Sequence, residues 1–193
     1  MKKYSLGAAV AALAVAVPAV AFAHPGHPGE GLAAGFMHPF SGADHFFAMI
    51  AVGFWAAMLG GWARFAVPAA FVSVMMVGAV FGIAGTPLPF IEPAVAASVV
   101  ALGLLVAFEV KVPLVVASAI VATAAFFHGF AHGTELTDSS RALPYIGGFV
   151  VATVILHAAG LALGSLRLSR VSRIAGRLAG AGVALAGLTF LAA

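Results

Sequence analysis

The sequence contains no cysteine, and this absence limits the chemistry that the chain can perform. Disulfide frameworks, thiolate metal sites and cysteine nucleophiles are all excluded. Any metal ion held by this chain must therefore be bound by imidazole, carboxylate, carbonyl or thioether groups.

Charged residues are also scarce: they make up 8% of the chain, whereas a soluble globular domain is about a quarter charged. Hydrophobic residues make up 63%, and the mean hydropathy is +1.15. So little charge cannot cover the surface of a soluble protein of 193 residues. We therefore predict an all-α fold, a polytopic bundle of helices in a lipid bilayer, with no room for a separate soluble domain.

The sequence also lacks a basic patch, although its pI of 9.8 suggests an anionic partner. Lys2 and Lys3 lie in a predicted signal peptide, and without them the acidic and basic residues nearly balance. No cluster of basic residues is interleaved with aromatic ones, so we expect no nucleic-acid partner.

Residues 1–23 have the pattern of a secretory signal peptide. Two lysines are followed by an apolar run over residues 6–20, and Ala21-Phe22-Ala23 is a small-x-small cleavage site. We expect cleavage after Ala23; the alternative is an uncleaved first helix.

Residues 24–31 form a segment rich in histidine, proline and glycine, which cannot continue a helix. We expect this segment to be periplasmic. After cleavage the mature chain begins at His24, whose α-amine and imidazole, together with the imidazole of His27, can chelate a metal ion. The alternative is a segment whose histidines do little.

The remainder of the chain, residues 32–193, is predicted to be a transmembrane domain of six spans. Each apolar segment is close to the ~20 residues that a membrane-spanning helix needs. The predicted segments are 32–60, 65–85, 90–109, 112–132, 144–164 and 174–193.

The charges between the segments predict the orientation. With the mature amino terminus outside, one set of bases lies inside: Arg64, Lys111, Arg167, Arg170, Arg173 and Arg177. The outer connections carry mainly acids: Glu92, Glu135 and Asp138, with Arg141 as their one base. This charge distribution matches the positive-inside rule. We predict a multi-pass protein of the bacterial inner (plasma) membrane with a periplasmic mature amino terminus.

The first apolar segment contains the motif His38-Pro39-Phe40-Ser41-Gly42-Ala43-Asp44-His45. Ionisable groups are costly in a membrane span and mark functional sites. On one continuous helix His38 and His45 share a face, with His45 ~10 Å deeper, and Asp44 lies about 100° to the side. Pro39 is expected in the first helical turn, where its missing N–H is harmless.

The fourth segment ends in a second motif, Phe127-His128-Gly129-Phe130-Ala131-His132-Gly133-Thr134-Glu135. Its two histidines and its glutamate fall on one helical face at i, i+4 and i+7. The histidine spacing matches two-histidine metal sites on helices. The zinc-protease signature would require glutamate in place of Gly129, which argues against hydrolysis.

The predicted topology places both motifs in the outer half of the membrane. We therefore expect the two faces to meet and hold a divalent metal ion in transit. The predicted ligands are His38, Asp44, His45, His128, His132 and Glu135, with His24 and His27 as a first capture site.

Other residues leave two interpretations open. His157, midway along the fifth segment, is either a relay or the donor of an interhelical hydrogen bond. Glu109 and Lys111 are expected to pair at the interface or to act as snorkelling anchors. G-x-x-x-G pairs such as Gly31/Gly35, Gly129/Gly133 and Gly176/Gly180 indicate tight helix packing.

The two motifs resemble those of the HupE/UreJ family, small bacterial permeases associated with nickel supply. The first likeness is His38-Pro39-x-x-Gly42-x-Asp44-His45-x-x-Ala48-Met49, continuing to Val52-Gly53-x-Trp55-Ala56; the second is Phe127-His128-Gly129-x-Ala131-His132-Gly133-x-Glu135. The resemblance implies uptake of Ni²⁺, or alternatively Co²⁺, across the inner membrane, with an indirect link to hydrogenase or urease maturation. The ion is the cargo, and no permanently bound cofactor is expected.

We expect the protein to be a permease and not an enzyme. Two other functions are alternatives to this interpretation. One is an intramembrane metal-dependent enzyme, and the other is a metal sensor or metalloenzyme assembly factor. Ligand type alone does not select nickel over its neighbours, because affinity rises along the first-row series to copper. The sequence also leaves open whether the protein forms a homo-oligomer.

Overall fold

The computed structural model describes residues 31–136, 142–167 and 169–192, and within these ranges every regular element is a helix. The predicted signal peptide, His24, His27, Asp138 and Arg141 lie outside the described residues. The helices are α1 (Leu32–Ser41), α2 (Ala43–Leu59), α3 (Ala63–Ile83), α4 (Ile91–Ala107), α5 (Leu114–Glu135), α6 (Ala142–Ser165) and α7 (Arg170–Ala192).

Four helices, α3, α5, α6 and α7, are long and apolar enough to cross a membrane. The pair α1 and α2 passes the same test as a single broken span, while α4 is an apolar helix of 17 residues. The chain is therefore a multi-pass membrane protein, with four to five helical spans by length and composition within the described ranges.

The first predicted span is not one continuous helix. The chain leaves helical geometry at Gly42, whose backbone is extended with φ −88° and ψ 110°, and α1 and α2 are bent by 83° relative to each other. Pro39 lies in the last turn of α1 rather than in the first turn of a helix. The predicted single face carrying His38 and His45 is therefore wrong, because the two residues lie on different helices.

The break is stabilised by local hydrogen bonds. The Gly42 N–H and the Ser41 hydroxyl both donate to the carbonyl of His38, at 3.1 and 2.8 Å. The carbonyl of Gly42 in turn accepts from the Phe46 N–H at 2.9 Å, which begins α2. One residue therefore ends one helix and caps the next.

The helices pack in pairs: α3 on α5, α4 on α7, and both α1 and α2 on α6. Glycines lie at these crossings. A Cβ added at Gly129 would lie 1.9 Å from the carbonyl oxygen of Met75, and one at Gly133 would lie 2.3 Å from that of Ala79. The close packing predicted for the Gly129/Gly133 pair is thus confirmed, whereas a Cβ added at Gly31 would meet nothing within 4 Å. In lipid, such close backbone contact is a main source of helix association.

A polar junction fastens the end of the bundle opposite the histidine motifs. Glu109 pairs with Arg167 and not with Lys111, so the predicted pair with Lys111 is wrong. Nearby, Arg177 Nε donates to the carbonyl of Ala107 at 3.0 Å, and Trp55 Nε1 donates to that of Val110 at 2.8 Å. These contacts tie the end of α4 to α2 and α7.

The crossing of α1 on α6 can be tested with two adjacent glycines. A Cβ at Gly148 would lie 2.0 Å from the carbonyl oxygen of Leu32, whereas one at Gly147 would meet nothing within 4 Å. We expect Gly148→Ala to push α1 away from α6 and to lower stability by about 1–3 kcal/mol, as overpacking does. Thermal unfolding of the purified protein in detergent measures the effect.

Gly147→Ala is the matched control, since it adds the same methyl group to the same helix. We expect it to be neutral or slightly stabilising, because alanine favours the helix over glycine by about 1 kcal/mol. Equal unfolding temperatures for the two variants would contradict the described packing of α1.

Candidate metal site

Four histidine rings form a continuous line through the bundle. Ring centroids are separated by 4.5 Å between His38 and His132, 4.2 Å between His132 and His45, and 4.7 Å between His45 and His128. Successive rings come from α1, α5, α2 and α5. The two motifs, more than 80 residues apart in the sequence, therefore meet at one place.

The two ends of this line differ in burial. The Glu135 side chain at one end is 52% exposed and that of His38 is 25% exposed. His132 and His45 are buried, and His128 is fully buried at 0% exposure. The line thus runs from a mouth at the protein surface to the interior of the bundle.

Glu135 forms the mouth together with His38 and His132. Its Oε2 lies 3.6 Å from His38 Nε2 and 3.4 Å from His132 Nδ1. One ligand atom from each residue can be chosen such that all three lie within 4.8 Å of one another. His132 and Glu135 are three residues apart on α5 and therefore share a face. The turn at Gly42 places His38, on α1, next to them.

Asp44 orients His45. The Oδ1 atom of Asp44 lies 2.7 Å from His45 Nδ1 and accepts the His45 backbone N–H at 2.8 Å. A carboxylate in this position accepts the Nδ1–H, which leaves Nε2 as the nitrogen with a free lone pair. A carboxylate that holds the far nitrogen of a ligand histidine is a recurrent feature of metal sites.

Ser98, on α4, orients His128 in the same way. The Ser98 hydroxyl donates its one proton to the carbonyl of Val95 at 2.7 Å, so at its 2.8 Å contact with His128 Nε2 it must accept. The Nδ1 atom of His128 then carries the free lone pair. Sequence reasoning missed Ser98, because a single serine in an apolar segment gives no distinctive signal.

The free nitrogens have no hydrogen-bond partner. His45 Nε2, His128 Nδ1 and His132 Nε2 are all buried and unpaired. Buried polar atoms are normally hydrogen-bonded, so three unpaired nitrogens in one cluster indicate a ligand-binding site. Lone pairs of neutral imidazole are suited to a borderline divalent cation.

The surroundings of the cluster are apolar and tight. The Phe149 ring, on α6, lies 4.2 Å from the His132 ring and also borders His38 and His45. A cavity of about 10 Å³ beside His132 is lined by Met75, Tyr145 and Phe149 among others. That volume holds about one water molecule or one ion.

Six of the predicted ligands therefore lie together: His38, Asp44, His45, His128, His132 and Glu135. Their role as metal ligands stays a prediction. His24 and His27 lie outside the described residues, and His157 lies apart from the cluster, behind the Phe71 ring.

Comparison with known proteins identifies the family of the chain. The family model described as HupE / UreJ protein matches residues 11–190. The chain belongs to the HupE/UreJ family. It is similar to "Protein HupE" of Rhizobium leguminosarum bv. viciae, with 53% identity over 178 residues that cover 92% of this chain and 93% of that one. No solved structure matches the chain.

HupE/UreJ proteins are in general metal permeases, for nickel or cobalt, that serve hydrogenase or urease. They are transport or accessory proteins rather than enzymes, and this chain is of that kind.

The orienting role of Asp44 predicts a graded loss of metal binding. In Asp44→Asn the amide accepts the His45 proton only weakly, so we expect nickel affinity to fall about 10–100-fold, as is usual when such a partner is changed. Ser98→Ala should weaken binding in the same direction. Isothermal titration of the purified protein with Ni²⁺ measures both.

Thr123→Val is the control, since the Thr123 hydroxyl bonds only to the carbonyl of Ala119 on its own helix. Its affinity should equal that of the wild type. An unchanged affinity in Asp44→Asn would show that His45 needs no orienting partner.

Proposed function

We propose that this protein is an inner-membrane permease that imports Ni²⁺, with Co²⁺ as the second candidate cargo. The observation that carries the proposal is the line of four imidazoles from a half-exposed mouth to a fully buried ring. A storage or structural site needs one closed set of ligands. A line of neighbouring sites instead lets an ion exchange one ligand at a time.

The ligand set suits an ion that must be released again. The cluster offers imidazole nitrogens and carboxylate oxygens, and the chain has no thiolate to trap a borderline cation. Three of the rings are each oriented by a polar contact at one nitrogen. Asp44 orients His45, Ser98 orients His128 and Glu135 orients His132. Each ring is thus held with its other nitrogen free to bind a metal ion.

The proposed topology has six spans after removal of the signal peptide. The broken pair α1 and α2 counts as one span and the 17-residue α4 as another. Discontinuous helices with ion sites at the break are typical of secondary transporters. The break at Gly42 and the end of α5 at Glu135 then face the periplasm, while Arg64, Arg167 and Arg177 face the cytoplasm.

Inward movement of a dication is already favoured by the membrane potential. The potential contributes ~2.3 kcal/mol per charge per 100 mV, and the cargo carries two charges. Import therefore needs no coupling ion. In this scheme His24 and His27, at the start of the mature chain, capture the ion before it reaches Glu135 and His38, and a hydrogenase or urease maturation system consumes it inside.

The central test is uptake by cells. We expect His45→Ala to abolish accumulation of radiolabelled nickel, because it removes the ring that joins the mouth to the buried end of the line. Immunodetection in washed membranes confirms equal insertion, and Thr123→Val should accumulate nickel normally. Normal accumulation by His45→Ala would falsify the permease proposal. Competition by Co²⁺, Zn²⁺ and Cu²⁺ in the same assay ranks the cargo.

The driving force can be tested in proteoliposomes. We expect an inside-negative potassium diffusion potential, set with valinomycin, to speed the initial rate of nickel entry. A pH gradient imposed at fixed potential should leave that rate unchanged, since no proton needs to move with the ion. Entry that depends on the pH gradient and ignores the potential would contradict potential-driven import.

A further inference from the structure

His157 has no partner in the described part of the chain. It lies on α6 and is 3% exposed, yet neither of its ring nitrogens makes a hydrogen bond. The interhelical hydrogen bond that the sequence left open is therefore absent from the described structure. A buried imidazole with both nitrogens unpaired is costly unless a ligand visits it.

His157 lines a groove between α3 and α6. The groove has a volume of about 410 Å³, which is ample for several water molecules. Its rim includes Arg64, in the first turn of α3, and Ser73 and Ala158 are exposed on its walls. In the proposed orientation Arg64 faces the cytoplasm, so the groove opens in the inner half of the protein.

One apolar ring separates this groove from the line of histidines. Phe71 is fully buried, and its centroid lies 6.0 Å from that of His128 and 5.0 Å from that of His157. His128, the innermost ring of the line, and His157, in the groove, therefore both pack against the same phenylalanine. A hydrophobic constriction of this kind can gate a pathway by excluding water.

We propose that His157 is the inner station of the transport path and that the ion leaves through the groove between α3 and α6. This inference rests on the proposed import function and specifies its second half. The ion passes from His128 past Phe71 to His157. There a single imidazole holds it weakly and gives it up to water. The positive charge of Arg64 at the rim disfavours a dication that rests in the groove, which promotes release.

Because the chain has no cysteine, single thiols report on the groove without a prior cysteine-free variant. Ala158 and Ala159 are adjacent and both exposed, but only Ala158 lines the groove. In inside-out vesicles, we expect a charged, membrane-impermeant methanethiosulfonate reagent to modify Ala158→Cys and to block nickel transport. Ala159→Cys, which faces lipid at nearly the same depth, should remain unmodified.

The labelling pattern decides what fills the groove. Modification of Ala158→Cys alone supports a water-filled exit. If neither cysteine reacts, lipid fills the groove and the proposal is overturned. If both react equally, the reagent does not distinguish the groove from the outer face of α6, and the assigned path is wrong.

The role of His157 is tested by separating binding from transport. We expect His157→Gln to keep the nickel affinity of the outer cluster within about twofold, which also shows that it folds, and to lower the uptake rate at least tenfold. His128→Gln should lower both. If His157→Gln transports normally, this inference fails while import through the cluster stands; if the wild type takes up no nickel, the import proposal itself fails.

Discussion

The turn at Gly42 is the feature on which the candidate site depends. On one straight helix, His38 and His45 would lie ~10 Å apart along the axis. The 83° bend instead places the ring of His132 between them, at 4.5 and 4.2 Å. The same turn puts Asp44 in the first turn of α2, where the helix dipole favours a negative charge and where Asp44 orients His45.

Glycine crossings hold the helices that supply the ligands. Gly148 sets α1 against α6, and Gly129 sets α5 against α3, each at distances that exclude a side chain. In lipid, helices gain little from hydrophobic association, so this close backbone contact must supply the packing energy that keeps unpaired imidazoles buried. Gly129 and Gly133, each of which follows a histidine of the second motif, thus have a structural role, whereas His128 and His132 are the predicted metal ligands.

The sequence predicted the site better than the path of the chain. Spacing at i, i+4 and i+7 suffices to place His128, His132 and Glu135 on one face, because α5 is regular there. The break in the first span was missed, since Gly42 and Pro39 are both compatible with a continuous apolar helix at the level of hydropathy. Ser98 and Phe71 were missed for another reason: their roles depend on which helix faces them, and a single sequence does not contain that information.

Under the proposed function, the arrangement also explains how the site would pass an ion on rather than store it. Each ring in the line has a neighbouring ring on at least one side, so adjacent binding positions share a histidine. An ion bound between two rings would therefore have only part of its ligands and could move on to the next pair. Exposure falls from Glu135 to His128, so in the proposed transport an ion would lose its water while it gains nitrogen ligands. The line then ends against the fully buried ring of Phe71, which separates the mouth from the far side. In the proposed transport, this arrangement corresponds to a path that is open at the mouth and closed by an apolar ring at its inner end.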